Sequence, residues 1–235
     1  MAAEELDPVY GPVYREALDY AAKLHRRQFR KTPEGVEPTV PYLAHLLEVS
    51  ALVWLGGGDE TQAIAGLLHD ALEDQGPHTS PRKLEKKFGP DVRRIVEACT
   101  DGAPGVVRDE STWLERKVAH LAELYTVDSD ALIVLAADKV SNARAILDDE
   151  AIAPGEVWGM FNAPRQAIAW YYAEATTALA LRLPDNVVTL RLVRLATLLA
   201  ESAGGTDLRS CYAAMDDAEY EEVLRPLAEA KAAAY

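Results

Sequence analysis

The chain has 235 residues, of which 49% are hydrophobic, enough for one large domain or two small ones. Aromatic residues make up only 7%, β-branched runs are few, and Ala and Leu abound, which points to an all-helical fold. A formal net charge of −14 argues against a general nucleic-acid binder and against attraction to anionic membranes.

The opening residues, Met1-Ala2-Ala3-Glu4-Glu5, are acidic and lack the apolar core of a signal peptide. Tyr14 to Arg30 reads as a helix, with Ala17, Ala21, Leu24 and Gln28 spaced at three and four. Thr32-Pro33-Glu34-Gly35 ends it, and Pro38 and Pro41 keep the next segment extended. A second helix runs from Tyr42 to Leu55 and stops at Gly56-Gly57-Gly58, which no phosphate-loop signature follows. Asp59 is a fitting N-cap for a third helix through Ala63, Leu67, Leu68 and Leu72. Ser80-Pro81 starts a short helix that Gly89-Pro90 closes, and Asp91 begins another through Val92, Ile95 and Val96. Residues 101–111 read as a loop, Trp113 to Leu124 as a helix, and Asp130 to Leu147 as a long apolar helix. Three further helices are expected near 161–182, 186–202 and 216–233. No run of roughly 18 uncharged apolar residues is present to span a bilayer. Cys99 and Cys211 form no CxxC pair, a reducing-compartment pattern that gives a cytoplasmic expectation with both thiols buried; a disulfide stays open.

Polar residues interrupt the helical pattern at three places. Leu67-Leu68-His69-Asp70-Ala71-Leu72-Glu73-Asp74 sets four ionisable side chains into an apolar run, where spacing by four pairs His69 with Glu73 and Asp70 with Asp74. An adjacent His-Asp pair is costly to bury unless a partner such as a metal ion satisfies it; the bland alternative is a helix end facing water. His45 begins a buried helix, where a lone His is more often a satisfied core residue than a ligand. Asp138 follows seven apolar residues, Ala131 to Ala137, and faces either a buried partner or a metal. Together His45, His69, Asp70 and Asp138 supply a mixed N/O set that suits Mn²⁺, Fe²⁺ or Zn²⁺.

Lys23, Arg26, Arg27, Arg30 and Lys31 form a basic run that reads as a phosphate-facing patch or a solvated helix face. His78 is expected in a loop and His120 at the surface or satisfied. Trp158, Phe161, Trp170, Tyr171 and Tyr172 fit a core better than a pocket wall.

The sequence resembles the HD-domain metal-dependent phosphohydrolases and, within them, the small alarmone hydrolases of the RelA/SpoT type, the metazoan SpoT homologue included. The elements that carry the resemblance come in family order. They are His25 to Lys31 followed by Pro41-Tyr42-Leu43-Ala44-His45, then Leu67-Leu68-His69-Asp70 with Glu73-Asp74, and Phe88-Gly89-Pro90-Asp91-Val92. Thr100-Asp101, Arg116-Lys117 and Ala137-Asp138-Lys139-Val140-Ser141-Asn142-Ala143-Arg144 complete them. The resemblance covers about residues 14–182. It implies a single all-α HD-domain bundle over 14–182, with an N-terminal tail over 1–13 and a helical extension over 183–235 packed on the same domain.

The resemblance further implies that His45, His69, Asp70 and Asp138 hold one divalent metal, usually Mn²⁺. Glu73 and Asp74 match the pair that orients and deprotonates the attacking water, and Arg30, Lys31 and Asn142 match nucleotide-holding positions. The implied reaction removes the 3′-pyrophosphate of guanosine 3′,5′-bis(diphosphate), ppGpp or its pentaphosphate analogue. Departures fall at the lengthened loop Val36 to Val40, at Leu46 in place of a common Pro, and at Leu135-Ala136 in place of Lys-Leu. They leave two alternatives open: another nucleotide substrate (the 2′-phosphate of NADPH or a dNTP) or a nucleotide-sensing regulator. The expected partner is a nucleotide rather than nucleic acid or membrane, and a homodimer is one open oligomeric state.

Overall fold

The computed structural model describes residues 10–33, 35–100 and 111–234. Twelve α-helices and one 3₁₀ turn form it, and among the described residues the sole β pairing is an isolated bridge between Phe29 and Pro41. In chain order the helices are α1 (Pro12–Leu24), α2 (Leu43–Leu55), α3 (Glu60–Leu68), α4 (Ala71–Asp74), α5 (Pro81–Phe88) and α6 (Pro90–Cys99). Then come α7 (Trp113–Glu123), α8 (Ser129–Ile152), the 3₁₀ turn Val157–Met160, α9 (Arg165–Arg182), α10 (Val187–Ala203), α11 (Leu208–Cys211) and α12 (Asp217–Ala234).

α8 is the axis. Residues Ala131 to Ala137 are all buried, so its first half is covered on every side, as its apolar run demands. α2, α3 and α6 pack on one flank and α9 and α10 on another, while α12 lies on α7. One continuous apolar cluster runs from Ala17 on α1 to Leu227 on α12.

Local chemistry starts the helices where the sequence expects. Asp59 and Gln62 form a reciprocal capping box on α3, Ser80 caps α5 ahead of Pro81, and Asn186 caps α10. Arg94 of α6 reaches Asp128 at 2.5 Å and Asp130 at 2.8 Å, pinning the entry of α8. The loop expected over 101–111 lies almost wholly outside the described residues.

The first and third expected helices are shorter in the structure. The first ends at Leu24 rather than Arg30, because Gln28 and Arg30 pair their backbones with Tyr42 and Val40 instead. The third stops at Leu68; His69 and Asp70 form a break before α4, and the Asp70 backbone (φ −91°, ψ 0°) has left the helical region. That break turns the His-Asp pair inward.

Candidate metal centre

Two helices and one break converge on the site. α2 brings His45 near its start, the α3–α4 break brings His69 and Asp70, and α8 brings Asp138. His45 and His69 are buried, 3% and 2% exposed, and their Nε2 atoms lie 3.3 Å apart. Asp70 Oδ2 is 2.9 Å from His69 Nε2 and 3.6 Å from His45 Nε2. Asp138 Oδ1 is 3.4 Å from His45 Nε2 and 3.5 Å from His69 Nε2.

The orientation of the imidazoles follows from their outer nitrogens. His69 Nδ1 donates to the Gly66 carbonyl at 2.9 Å. His45 Nδ1 lies 2.9 Å from Ser141 Oγ, and that hydroxyl donates onward to Glu48 Oε2 at 2.7 Å. Glu48 in turn accepts from Arg144 Nη1 at 3.0 Å. Each ring therefore turns an Nε2 lone pair towards the same point, the arrangement by which outer hydrogen bonds prepare metal-ligating histidines.

Donors held about 2.1 Å from one small ion stand roughly 3–3.5 Å apart, and the distances here match. His45, His69 and Asp70 can hold a divalent cation with their ligand atoms all within 4.8 Å of one another. The two carboxylates place negative charge where a cation would sit. Burial pulls the His69 imidazole down, but Asp70 and then Asp138 outweigh it and hold the ring well above its ordinary range. Burial raises the Asp70 carboxyl, and the two imidazoles overcome it, so Asp70 stays ionised. Asp138 is likewise held well below the carboxylate range despite burial, with Lys139 the largest stabilising charge.

Around this cluster lies a cavity of about 190 Å³, lined among others by Glu73, Cys99, Lys117, Lys139, Asn142 and Tyr171. Lys139 Nζ sits 2.8 Å from Asp138 Oδ2, and Lys117 and Lys139 lie 4.9 and 5.6 Å from the centroid of the Tyr171 ring. Asn142 joins two of the expected positions: its Nδ2 donates to Asp138 Oδ1 at 2.5 Å, and its Oδ1 accepts from Arg30 Nη1 at 3.0 Å.

Other expected residues part company. Glu73 lines the cavity, whereas Asp74 lines a neighbouring groove and accepts from Gln28 Nε2 at 2.6 Å. Lys31 is exposed and lines neither space. His120, expected at the surface or satisfied, is buried at 4% exposure and lines the cavity, as does Tyr171. Trp158 and Tyr172 are buried in the core. Cys99 and Cys211 are free and partly buried. The roles of Ser141 and Glu48 leave no mark in the sequence, because a Ser within a helix and a Glu three residues after His45 carry no marked pattern.

These features define a class. A family model described as HD domain matches residues 17–156, more than half of the chain, and the chain belongs to the HD-domain family. The guanosine-3′,5′-bis(diphosphate) 3′-pyrophosphohydrolases of Homo sapiens and Xenopus tropicalis are 37% and 36% identical to it over 132 residues, 55% of this chain and 66% of each relative. The chain thus spans just under two thirds of their length. The Drosophila melanogaster counterpart is 35% identical over 134 residues, 56% of this chain and 68% of its own.

Two solved structures share the fold. One, described as a metazoan ortholog of SpoT that hydrolyzes ppGpp and plays a role in starvation responses, aligns with a TM-score of 0.63 at 24% identity, covering 81% of this chain and 97% of its own. A Listeria monocytogenes EGD-e protein aligns with a TM-score of 0.57 at 22% identity, covering 66% and 97%.

Proposed function

We propose that this chain hydrolyses guanosine 3′,5′-bis(diphosphate), releasing the 3′-pyrophosphate, at a centre formed by His45, His69, Asp70 and Asp138. The observation that carries the reading is the pair of buried imidazole Nε2 atoms 3.3 Å apart, flanked by two ionised carboxylates. The named activity of the 35–37% identical relatives supplies the substrate.

A divalent cation, when bound, neutralises phosphate charge and acidifies a water molecule towards neutral pH. We assign Mn²⁺ from the mixed N/O donor set. Glu73, on the cavity wall, accepts the proton from the attacking water. Asp74 holds the α4 turn through Gln28 and so sets the position of Glu73. Lys117 and Lys139 supply positive charge where phosphate oxygens would lie, offsetting the cation lost at Leu135. Arg30, held by Asn142, borders the nucleotide, and the exposed Lys31 follows it in the chain. No described helix is long and apolar enough to cross a membrane, and a cytoplasmic location belongs to the same reading as the free thiols.

A panel of ppGpp, NADPH and dGTP with Mn²⁺-loaded protein tests the substrate. The reading expects kcat/KM for ppGpp to exceed the others at least tenfold. Faster phosphate release from NADPH or dGTP would retain the centre and retire the alarmone.

A further inference from the structure

The basic run at the end of α1 divides in the structure. Arg30 turns towards the cavity through Asn142, whereas Lys23, Arg26 and Arg27 line a separate groove of about 1140 Å³. α5 supplies the facing wall with Lys83, Lys86 and Lys87. Two carboxylates enter the groove, and both are engaged: Glu16 with Lys87 at 2.6 Å and Asp74 with Gln28 at 2.6 Å. Lys83 Nζ donates to the His78 carbonyl at 3.1 Å. Among the described residues, the side chains of Lys23, Arg26, Arg27 and Lys86 make no hydrogen bond or ion pair.

Four uncompensated cations around one concavity repel one another, and they do so in a chain with 38 Asp and Glu against 24 Lys and Arg. Acidic side chains are plentiful in the chain, yet none forms an ion pair with these four among the described residues. The cations come from α1, the turn that follows it and α5, across a concavity rather than along a stripe, and the acidic remainder of the surface repels a long polyanion. Pockets for small ligands run to roughly 1,000 Å³, so the groove has room for a nucleotide-sized molecule. Arg26 and Arg27 add the planar donor forks that suit phosphate oxygens.

We propose that the groove between α1 and α5 is a second anion site that takes the polyphosphate chain of a small molecule, separate from the cavity at His45 and His69. Gln28, bonded to Asp74 and to Gln75 at 2.8 Å, forms part of its inner wall. The inference needs neither a bound metal nor turnover, and so stands apart from the proposed reaction.

Calorimetric titration with inorganic tripolyphosphate and with ATP, in metal-free buffer containing chelator, tests it on the full chain. The proteins are the unaltered chain, the triple variant Lys23→Gln/Arg27→Gln/Lys86→Gln, a Lys23→Arg/Lys86→Arg variant and the cavity variant Lys117→Gln. The proposal expects saturable binding that weakens at least tenfold in the triple variant, survives in the Lys→Arg variant and changes less than twofold in Lys117→Gln. Equal affinity for the two probes identifies the polyphosphate chain as what is recognised; tenfold tighter ATP binding identifies a nucleotide. The proposal fails if neither probe binds, if Lys117→Gln abolishes binding that the triple variant keeps, or if the same residues prefer a duplex oligonucleotide to tripolyphosphate. Lys23, Arg27 and Lys86 are exposed and Lys117 is half-buried, and an unchanged melting curve checks that each variant folds.

Discussion

His45 presents Nε2 to the centre because Ser141 engages its Nδ1, and Ser141 is itself fixed by Glu48 and Arg144. Losing an outer partner of this kind typically costs 10–100-fold in metal affinity. Ser141→Ala should therefore weaken Mn²⁺ binding by about that factor in a chelator competition, and Ser141→Thr, which keeps the hydroxyl, should recover most of it. Glu73→Gln should leave ion binding within a few-fold and lower kcat by about 10²–10⁴; unchanged kcat would remove Glu73 from proton transfer.

His25 gives a pH signature of its own. Its Nδ1 faces Gln28 Oε1 at 2.8 Å while its buried Nε2 has no hydrogen-bond partner, and burial lowers its pKa below the ordinary 6.5 despite Gln28, Asp70 and Asp74. Below pH 6.5 the unfolded chain takes up a proton that folded His25 resists, so its contribution to stability falls as pH falls through that window. Denaturant titrations at pH 7.5 and 5.5 should show a smaller loss for His25→Gln than for the unaltered chain. The metal candidates were legible because each is a polar residue in an apolar run. Ser141 and Glu48 were not, since their role exists only once α2 and α8 cross.

At the scale of elements, caps and periodicity located most helices, and the misses have a common physical cause. The end of α1 and the break at His69 are decided by distant chain: residues 28–30 pair with 40–42, and α3 packs against α2 and α8. Sequence spacing placed Asp74 on one face with Asp70, yet the break sends Asp74 to the groove and leaves Glu73 at the cavity. Gly66 shows how close α3 comes to α2: a Cβ there would meet the Ser50 backbone at 3.2 and 3.3 Å. Its carbonyl also fixes His69. Gly66→Ala should destabilise the fold by about 1–3 kcal/mol, as overpacking does, and weaken Mn²⁺ binding as well. Normal metal affinity in that variant would show that His69 is positioned by something other than the α2–α3 approach.

Across the whole molecule, the cluster sits where α2, α8 and the α3–α4 break meet, and α12 packs on α7, whose Lys117 and His120 line the cavity. Leu227 of α12 is buried at 4% exposure. Leu227→Ala should cost about 2–4 kcal/mol of stability with little change in metal affinity, measured by thermal melts and ion titration. Equal loss of both would mean that the C-terminal helices shape the centre directly.

The central claim is pyrophosphate release from ppGpp at the His45–His69–Asp70–Asp138 centre. It is tested most directly by anion-exchange chromatography of products from Mn²⁺-loaded protein and from Asp70→Asn. The account predicts GDP and pyrophosphate in equal amounts from the unaltered chain and a loss of roughly a thousandfold or more in Asp70→Asn, as expected when a metal's charge stabilisation is withdrawn. Intact ppGpp, products other than GDP and pyrophosphate, or undiminished turnover by Asp70→Asn would contradict it.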